Sequence, residues 1–202
     1  MTDTKPQLNT LVYESLAAIR ARNPRPIIAI DGRGGAGKST LARAIVSAFP
    51  GAAHIEYDWF HRLQSEITGD ERYDYQRVFR ELITPFKAHQ RDFKLLRYNW
   101  GYLSGVPDGF AAEPITLAGV EMVVLEGCGV LHPALLESYD YRIWVDTNAE
   151  ESRARGMRRD IEEYGLDPER VQKAWAEWGE WERAALERHD RGQRADLILR
   201  SS

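Results

Sequence analysis

The stretch from Ile27 to Thr40 constrains this chain more than any other. Ile27-Ile28-Ala29-Ile30-Asp31 is a short apolar run that passes directly into Gly32-Arg33-Gly34-Gly35-Ala36-Gly37-Lys38-Ser39. The apolar run suits a strand buried on both faces of a parallel sheet. From Ser39 to Phe49 the pattern turns helical. The spacing of Gly32, Gly37, Lys38 and Ser39 is G-x-x-x-x-G-K-[ST], in the strand-to-helix setting that motif needs. Gly32, Gly34, Gly35 and Gly37 free the backbone to take conformations a side chain would block. Backbone N–H groups then converge at a helix N-terminus, where the dipole favours negative charge. Residues Gly32 to Thr40, with Arg33 and Ala36 among them, are therefore expected to cradle nucleotide phosphates. Lys38 reaches the β- and γ-phosphates and the Ser39 hydroxyl holds Mg²⁺. Thr40 either assists at the α-phosphate or caps the turn. The motif speaks for nucleotide binding and is silent on its use, since switches, motors and kinases share it.

Composition narrows the field. A chain of 202 residues with 43% hydrophobic content reads as one domain with a substantial core. A net charge of −4 gives no general attraction to nucleic acid or an anionic membrane. The single cysteine, Cys128, excludes an intrachain disulfide and fits a reducing cytoplasm. The N-terminus lacks the pattern of a signal peptide, and no apolar run approaches the roughly 18–20 residues of a membrane span. Self-association is left open.

Strands and helices alternate along the sequence. Residues 7–21 read as an amphipathic helix, ended by Asn23-Pro24-Arg25-Pro26. Further strands are expected at Ala53–Tyr57, Glu121–Leu125, Tyr141–Val145 and Asp196–Leu199. Helices are expected over 149–164 and from Asp167-Pro168 onward, Asp as cap and Pro in the first turn. Residues 60–100 read as mostly helical or irregular. The pattern predicts a three-layer α/β fold with a mostly parallel sheet. In the last helix Val171, Trp175, Trp178 and Leu186 form one stripe, which reads as core packing.

Five other positions bear on the chemistry. Glu126 ends the strand Val123-Val124-Leu125 and either orders Mg²⁺ or caps a loop. Cys128 reads as a small buried residue, with no base beside it. Asp58 follows the second strand and faces the crevice at the carboxyl ends of the sheet, where ligands bind in open α/β folds. It is either a base for an attacking hydroxyl or a helix cap. Arg155 and Arg159 share a helix face and either clamp a transferring phosphoryl group or belong to a solvated charged face.

With Ile30-Asp31-Gly32 leading into the loop, Asp58-Trp59-Phe60-His61-Arg62, Val124-Leu125-Glu126-Gly127, Arg155-Gly156-Met157-Arg158-Arg159-Asp160 and Ala195-Asp196-Leu197-Ile198, the chain resembles the uridine kinase-like branch of the P-loop kinases. That branch includes phosphoribulokinase and pantothenate kinase relatives, and the likeness runs from about Ile27 to Ile198. It implies five parallel strands in the order 2-3-1-4-5. It also implies Asp58 beside the acceptor hydroxyl, Glu126 as the acidic residue after the third core strand, and Arg155 and Arg159 on a lid that closes over the phosphates. Two departures stand out. Uridine kinases usually have Tyr at the place of His61, and an arginine at that of Leu166.

The expected layout is an N-terminal helix and linker over residues 1–26 and a kinase domain over 27–202. A substrate region spans about 59–118 and a lid about 149–166. The expected activity is transfer of the γ-phosphate of MgATP to a hydroxyl of a small metabolite, a nucleoside first. His61, Arg62, Tyr73, Asp74, Arg77 and Trp100 are candidate substrate contacts. The alternatives are another acceptor (a sugar, a vitamin precursor or a nucleoside monophosphate) or a P-loop ATPase or switch working on a partner protein.

Overall fold

A computed structural model describes residues 8–67, 71–101 and 108–200. The described strands are β1 Ile27–Gly32, β2 Ala52–Glu56, β3 Phe93–Leu95, β4 Tyr98–Asn99, β5 Gly109–Phe110, β6 Ile115–Leu117, β7 Met122–Glu126, β8 Tyr141–Asp146 and β9 Leu197–Arg200. The α-helices are α1 Thr10–Arg22, α2 Lys38–Ala48, α3 Tyr75–Val78, α4 Thr84–Lys87, α5 Ala149–Glu162 and α6 Pro168–His189. Five strands pair in parallel in the order β2-β7-β1-β8-β9. Numbered among themselves, these are 2-3-1-4-5, the order the resemblance implies.

β1 is the axis of this sheet because all six of its residues are buried. Its side chains divide between two apolar layers, as alternation in a strand requires. Ile28 and Ile30 pack with Val12 and Leu16 of α1 and with Ala42 and Ile45 of α2. Ile27 and Ala29 pack with Tyr57, Phe60, Leu82, Phe86 and Leu131 on the other face. Each fully buried isoleucine contributes about 1.5–3 kcal/mol through the apolar surface it removes from water. The helices start where polar caps stand. Asn9 accepts from Leu11 N–H, Asn148 from Glu150 and Glu151, and Asp167 from Arg170, with Pro168 in the first turn.

The described part of residues 60–100 is mostly helical or irregular, as expected, with the short strands β3 and β4 besides. α3 runs through a π-helical turn, Phe79–Ile83, into α4. Two small antiparallel pairs, β3 with β6 and β4 with β5, stand beside it. Strands of two or three residues show no alternation to read in the sequence, so only the tertiary pairing reveals them. Residues 102–107, which include the aromatic Tyr102, lie outside the described residues. Among the described residues no helix is long and apolar enough to cross a membrane.

Candidate active site

The loop between β1 and α2 is built on a buried carboxylate. Asp31 is fully buried and accepts from the backbone N–H of Gly32 at 2.7 Å, Gly129 at 2.9 Å and Leu131 at 2.9 Å. Arg191 Nη1 lies 3.4 Å from the same carboxylate. One side chain thus joins β1, the segment after β7 and the turn before β9. Glycine is required at two loop positions. At Gly35 φ is +79°, and a Cβ there would lie 2.0 Å from the Ser152 carbonyl oxygen of α5. Gly37 has φ +99°, caps α2, and faces open space, leaving the helix N-terminus accessible to an anion.

Lys38 is buried, and its Nζ donates to the Arg33 carbonyl at 2.8 Å and to Cys128 Sγ at 3.2 Å. Burial works against its charge, but Cys128, Glu126 and Asp31 together raise its pKa above the ordinary lysine value. Burial pushes the Cys128 thiol up to about 12 despite the lysine, so the neutral thiol is the small buried group its sequence context suggests.

Ser39 Oγ donates to Glu126 Oε1 at 2.7 Å, and His54 Nε2 of β2 lies 3.1 Å from the same oxygen. Burial would raise the Glu126 pKa. The His54 hydrogen bond, the Lys38 charge and the Ser39 hydrogen bond outweigh it, so the carboxyl is held below its usual range. An ionised carboxylate beside a serine hydroxyl is a donor set for a hard divalent cation, which takes one or two carboxylates and fills its shell with phosphates and water. Among the described residues no three His, Cys, Asp or Glu side chains gather as a metal cage. The cradle of N–H groups, Lys38 and this donor pair fit a nucleoside triphosphate with its cation. His54 escapes sequence reasoning because its partner is 72 residues away on the neighbouring strand.

Asp58 stands in the 3-10 turn Tyr57–Phe60 directly after β2, and its side chain caps no helix. It accepts from the Tyr73 hydroxyl at 2.8 Å. Burial raises its pKa most, the Tyr73 bond lowers it, Glu126 raises it and Lys38 lowers it, for a net value of about 6. His61 is buried and its Nδ1 lies 2.7 Å from the Arg62 carbonyl, which assigns the proton to Nδ1. Burial lowers its pKa to about 4, so the ring is neutral, and Nε2 is buried without a hydrogen-bond partner. Tyr73 and Trp100 meet this ring edge-on at 5.5 and 4.3 Å. The structure therefore brings Asp58, His61, Tyr73 and Trp100 together.

The other candidates in this region act on the backbone. Arg62 Nε donates to the Tyr73 carbonyl at 3.2 Å, and Asp74 caps α3 by accepting from Arg77 N–H at 3.0 Å. The Arg77 guanidinium is buried and donates to the carbonyls of Trp59 and Leu96 and to Glu81. Arg77 thus ties the turn after β2 to α3 and to the segment before β4. Thr40 is exposed and accepts from Arg43.

α5 touches the loop at Ser152 and Gly156. On the same helix Arg155 donates to Glu151, and Arg159 grips the buried Asp160 through Nε at 2.9 Å and Nη2 at 2.6 Å. In this arrangement both arginines bond to carboxylates of their own helix. α6 supplies the other wall. Trp175 Nε1 donates to Asp160 at 2.7 Å, and a Cβ on Gly34 would meet Trp178 Nε1 at 3.0 Å and the Trp175 ring at 3.2 Å. This corrects the reading of Trp175 and Trp178 as core: both are half-buried and cover the loop. Helical periodicity identifies the apolar face but not the surface it meets. Glu182 of α6 also reaches the loop, a contact without a sequence motif.

The family described as phosphoribulokinase / uridine kinase matches residues 27–198. A uridine kinase of Alkaliphilus metalliredigens is 35% identical over 153 residues, covering 70% of this chain and 71% of the relative. One of Clostridium perfringens is 33% identical over 159 residues, covering 73% and 74%. Among solved structures, D-glycerate 3-kinase of Cryptococcus neoformans superposes with a TM-score of 0.67 at 10% identity, over 91% of this chain and 90% of that one. The last likeness concerns the fold alone.

Proposed function

The chain belongs to the phosphoribulokinase / uridine kinase family, a family of phosphotransferases acting on hydroxyl groups, and from that premise we propose that it transfers the γ-phosphate of MgATP to a hydroxyl of a small metabolite. The observation that carries this reading is Asp58, two residues beyond Glu56, which pairs in register with Glu126, with one carboxylate oxygen held by the Tyr73 hydroxyl at 2.8 Å and a pKa raised by burial to about 6. A base poised near neutral pH stands beside the anion cradle and the candidate cation ligands.

The residues divide the work. Backbone N–H groups of the loop and Lys38 hold and orient the triphosphate. Ser39 and Glu126 hold the cation, with His54 orienting the carboxylate. Bound there, MgATP supplies the transferable phosphoryl group and a counter-charge for its oxygens. Tyr73 occupies Asp58 Oδ1, which leaves Oδ2 to receive the acceptor's proton. His61, Tyr73 and Trp100 line the acceptor side. Arg155 and Arg159 close over the phosphates by exchanging their helix carboxylates for phosphate oxygens.

A nucleoside is the leading acceptor, on the names of the relatives. His61 and Leu166, where uridine kinases usually carry Tyr and Arg, favour a second reading in which the acceptor is a sugar, a vitamin precursor or a nucleoside monophosphate. The test is a screen of purified protein with MgATP against all four classes, with phosphorylated products read by mass spectrometry. A single phosphorylated class, lost in Asp58→Asn with ATP binding intact, is expected. Full transfer by Asp58→Asn would overturn the assignment of the base. ATP hydrolysis stimulated by a partner protein, with no phosphorylated metabolite, would overturn the transferase reading.

A further inference from the structure

One buried carboxylate has no part in the chemistry above. Glu182, in the middle of α6, is only 8% exposed. Its Oε1 accepts from the Gly34 backbone N–H at 2.7 Å, and its Oε2 lies 3.4 Å from Arg33 Nη1. A protein carboxylate thus takes an N–H of the loop whose other donors are arranged for phosphate. The peptide unit involved is the one Lys38 also holds. The Arg33 carbonyl accepts from Lys38 Nζ at 2.8 Å, and the N–H of the same peptide, on Gly34, donates to Glu182. Lys38 is the residue that must turn to the β- and γ-phosphates. Glu182 is therefore one peptide away from the terminal phosphate's partner.

Its surroundings make the contact selective. Trp178 and Trp175 close on Gly34 from the same helix, so water screens the contact of Glu182 with the Gly34 N–H poorly. Trp181, the adjoining residue, has its ring centroid 6.1 Å from that of Tyr73, whose hydroxyl bonds Asp58. Resting on the reading of the loop as the ATP site, we propose that Glu182 is a positioning residue that competes with the γ-phosphate for Gly34 and Arg33 and so sets the affinity for ATP relative to ADP. The carboxylate keeps the loop in shape and repels the outermost phosphate. ATP binding moves it, and α6 carries the shift through Trp181 to Tyr73.

The experiment is calorimetric titration of MgATP and MgADP into the wild type, Glu182→Gln, Glu182→Asp and Lys38→Ala. Glu182→Gln keeps an acceptor for Gly34 and loses the charge. It is expected to bind MgATP about tenfold tighter or more, with MgADP changed less than threefold, as a like charge removed at this range implies. Glu182→Asp, which keeps the charge, should stay near wild type in its ATP-to-ADP ratio. Tryptophan fluorescence of the wild type should change on adding MgATP more than on adding MgADP. An unchanged or weaker MgATP affinity in Glu182→Gln overturns the proposal while the ATP-site reading stands, provided Lys38→Ala abolishes binding. Wild-type protein that binds neither nucleotide overturns both. Should Glu182→Gln fail to fold, identical wild-type fluorescence responses to the two nucleotides would overturn the proposal.

Discussion

The two ends of the site are made differently. At the phosphate end the acids and the lysine have their partners in the protein: Asp31 with three backbone N–H groups and Arg191, Lys38 with Arg33 and Cys128, Glu126 with Ser39 and His54, although the Nε of Arg191 is itself buried without one. Asp31, His54 and Glu126 lie on strands of the central sheet, and Lys38 and Ser39 open α2. At the proposed acceptor end stand a 3-10 turn, strands of two or three residues and a helix with a π turn. There Tyr57 OH and His61 Nε2 are buried without hydrogen-bond partners. On the proposed reading, nucleotide binding there exchanges protein partners for ligand ones, Lys38 leaving the Arg33 carbonyl and Ser39 sharing Glu126 with the cation. A group that must distinguish one acceptor from another gains from polar atoms held in reserve, since an unpaired buried donor or acceptor penalises the wrong ligand.

The contrast is most sharply broken at Asp58. Asp58→Asn should lower kcat by about 10²–10⁴-fold, the range for a general base, with ATP affinity unchanged by calorimetry. The same change should stabilise the fold. The folded-state pKa of about 6 lies above the ordinary value of 3.8, so the native state binds its proton more tightly than the unfolded state. The stability this confers is present below the unfolded pKa and lost as pH rises through about 6. Neutral Asn should therefore gain about 1–3 kcal/mol at pH 7 in urea unfolding. A loss of both activity and stability would make Asp58 a structural residue.

Next in size is Asp31→Ala, which strands Arg191 and three N–H groups. It should cost about 3–5 kcal/mol in the same assay and abolish ATP binding. Survival of the loop without Asp31 would show that the phosphate end is less fixed than its hydrogen bonds imply.

A pH profile compares the ends directly. With Asp58 the base, kcat/KM should fall tenfold per unit below about pH 6 and level off above it, measured with acceptor limiting. His61 titrates at about 4, so it adds no limb between pH 5 and 8. A second limb in that window would show that a further group of the site titrates during transfer. The smallest effect expected is from Tyr57→Phe. Removing an unpartnered buried hydroxyl should raise stability by up to about 1 kcal/mol, by thermal unfolding, and leave kcat unchanged. A lower kcat would give that hydroxyl a part in the reaction.

The same contrast decides what could be read from the chain. The five core strands, α2, α5 and the start of α6 lie within a residue or two of their expected positions. Buried parallel strands and capped helices write themselves locally, as apolar runs and as Asn148 or Asp167 before a helical pattern. Gly32 to Ser39 and Glu126 were visible for the same reason. Asp31 was legible only as part of a family pattern, since its partners stand at 129, 131 and 191. His54 and Glu182 were not visible at all, because each is defined by a residue about 70 or 150 positions away. Arg77 looked like a ligand contact because a buried arginine bonding three backbone and side-chain acceptors leaves no sequence signature.

Asp31 also has a temporal consequence. The floor of the phosphate loop is joined to Arg191, within a dozen residues of the last strand's end. A growing polypeptide has every residue of the glycine-rich motif outside the ribosome long before it has the cation that neutralises Asp31. On the proposed reading, ATP binding by the nascent chain should thus begin when the Arg191 segment docks against Asp31, rather than when the motif emerges.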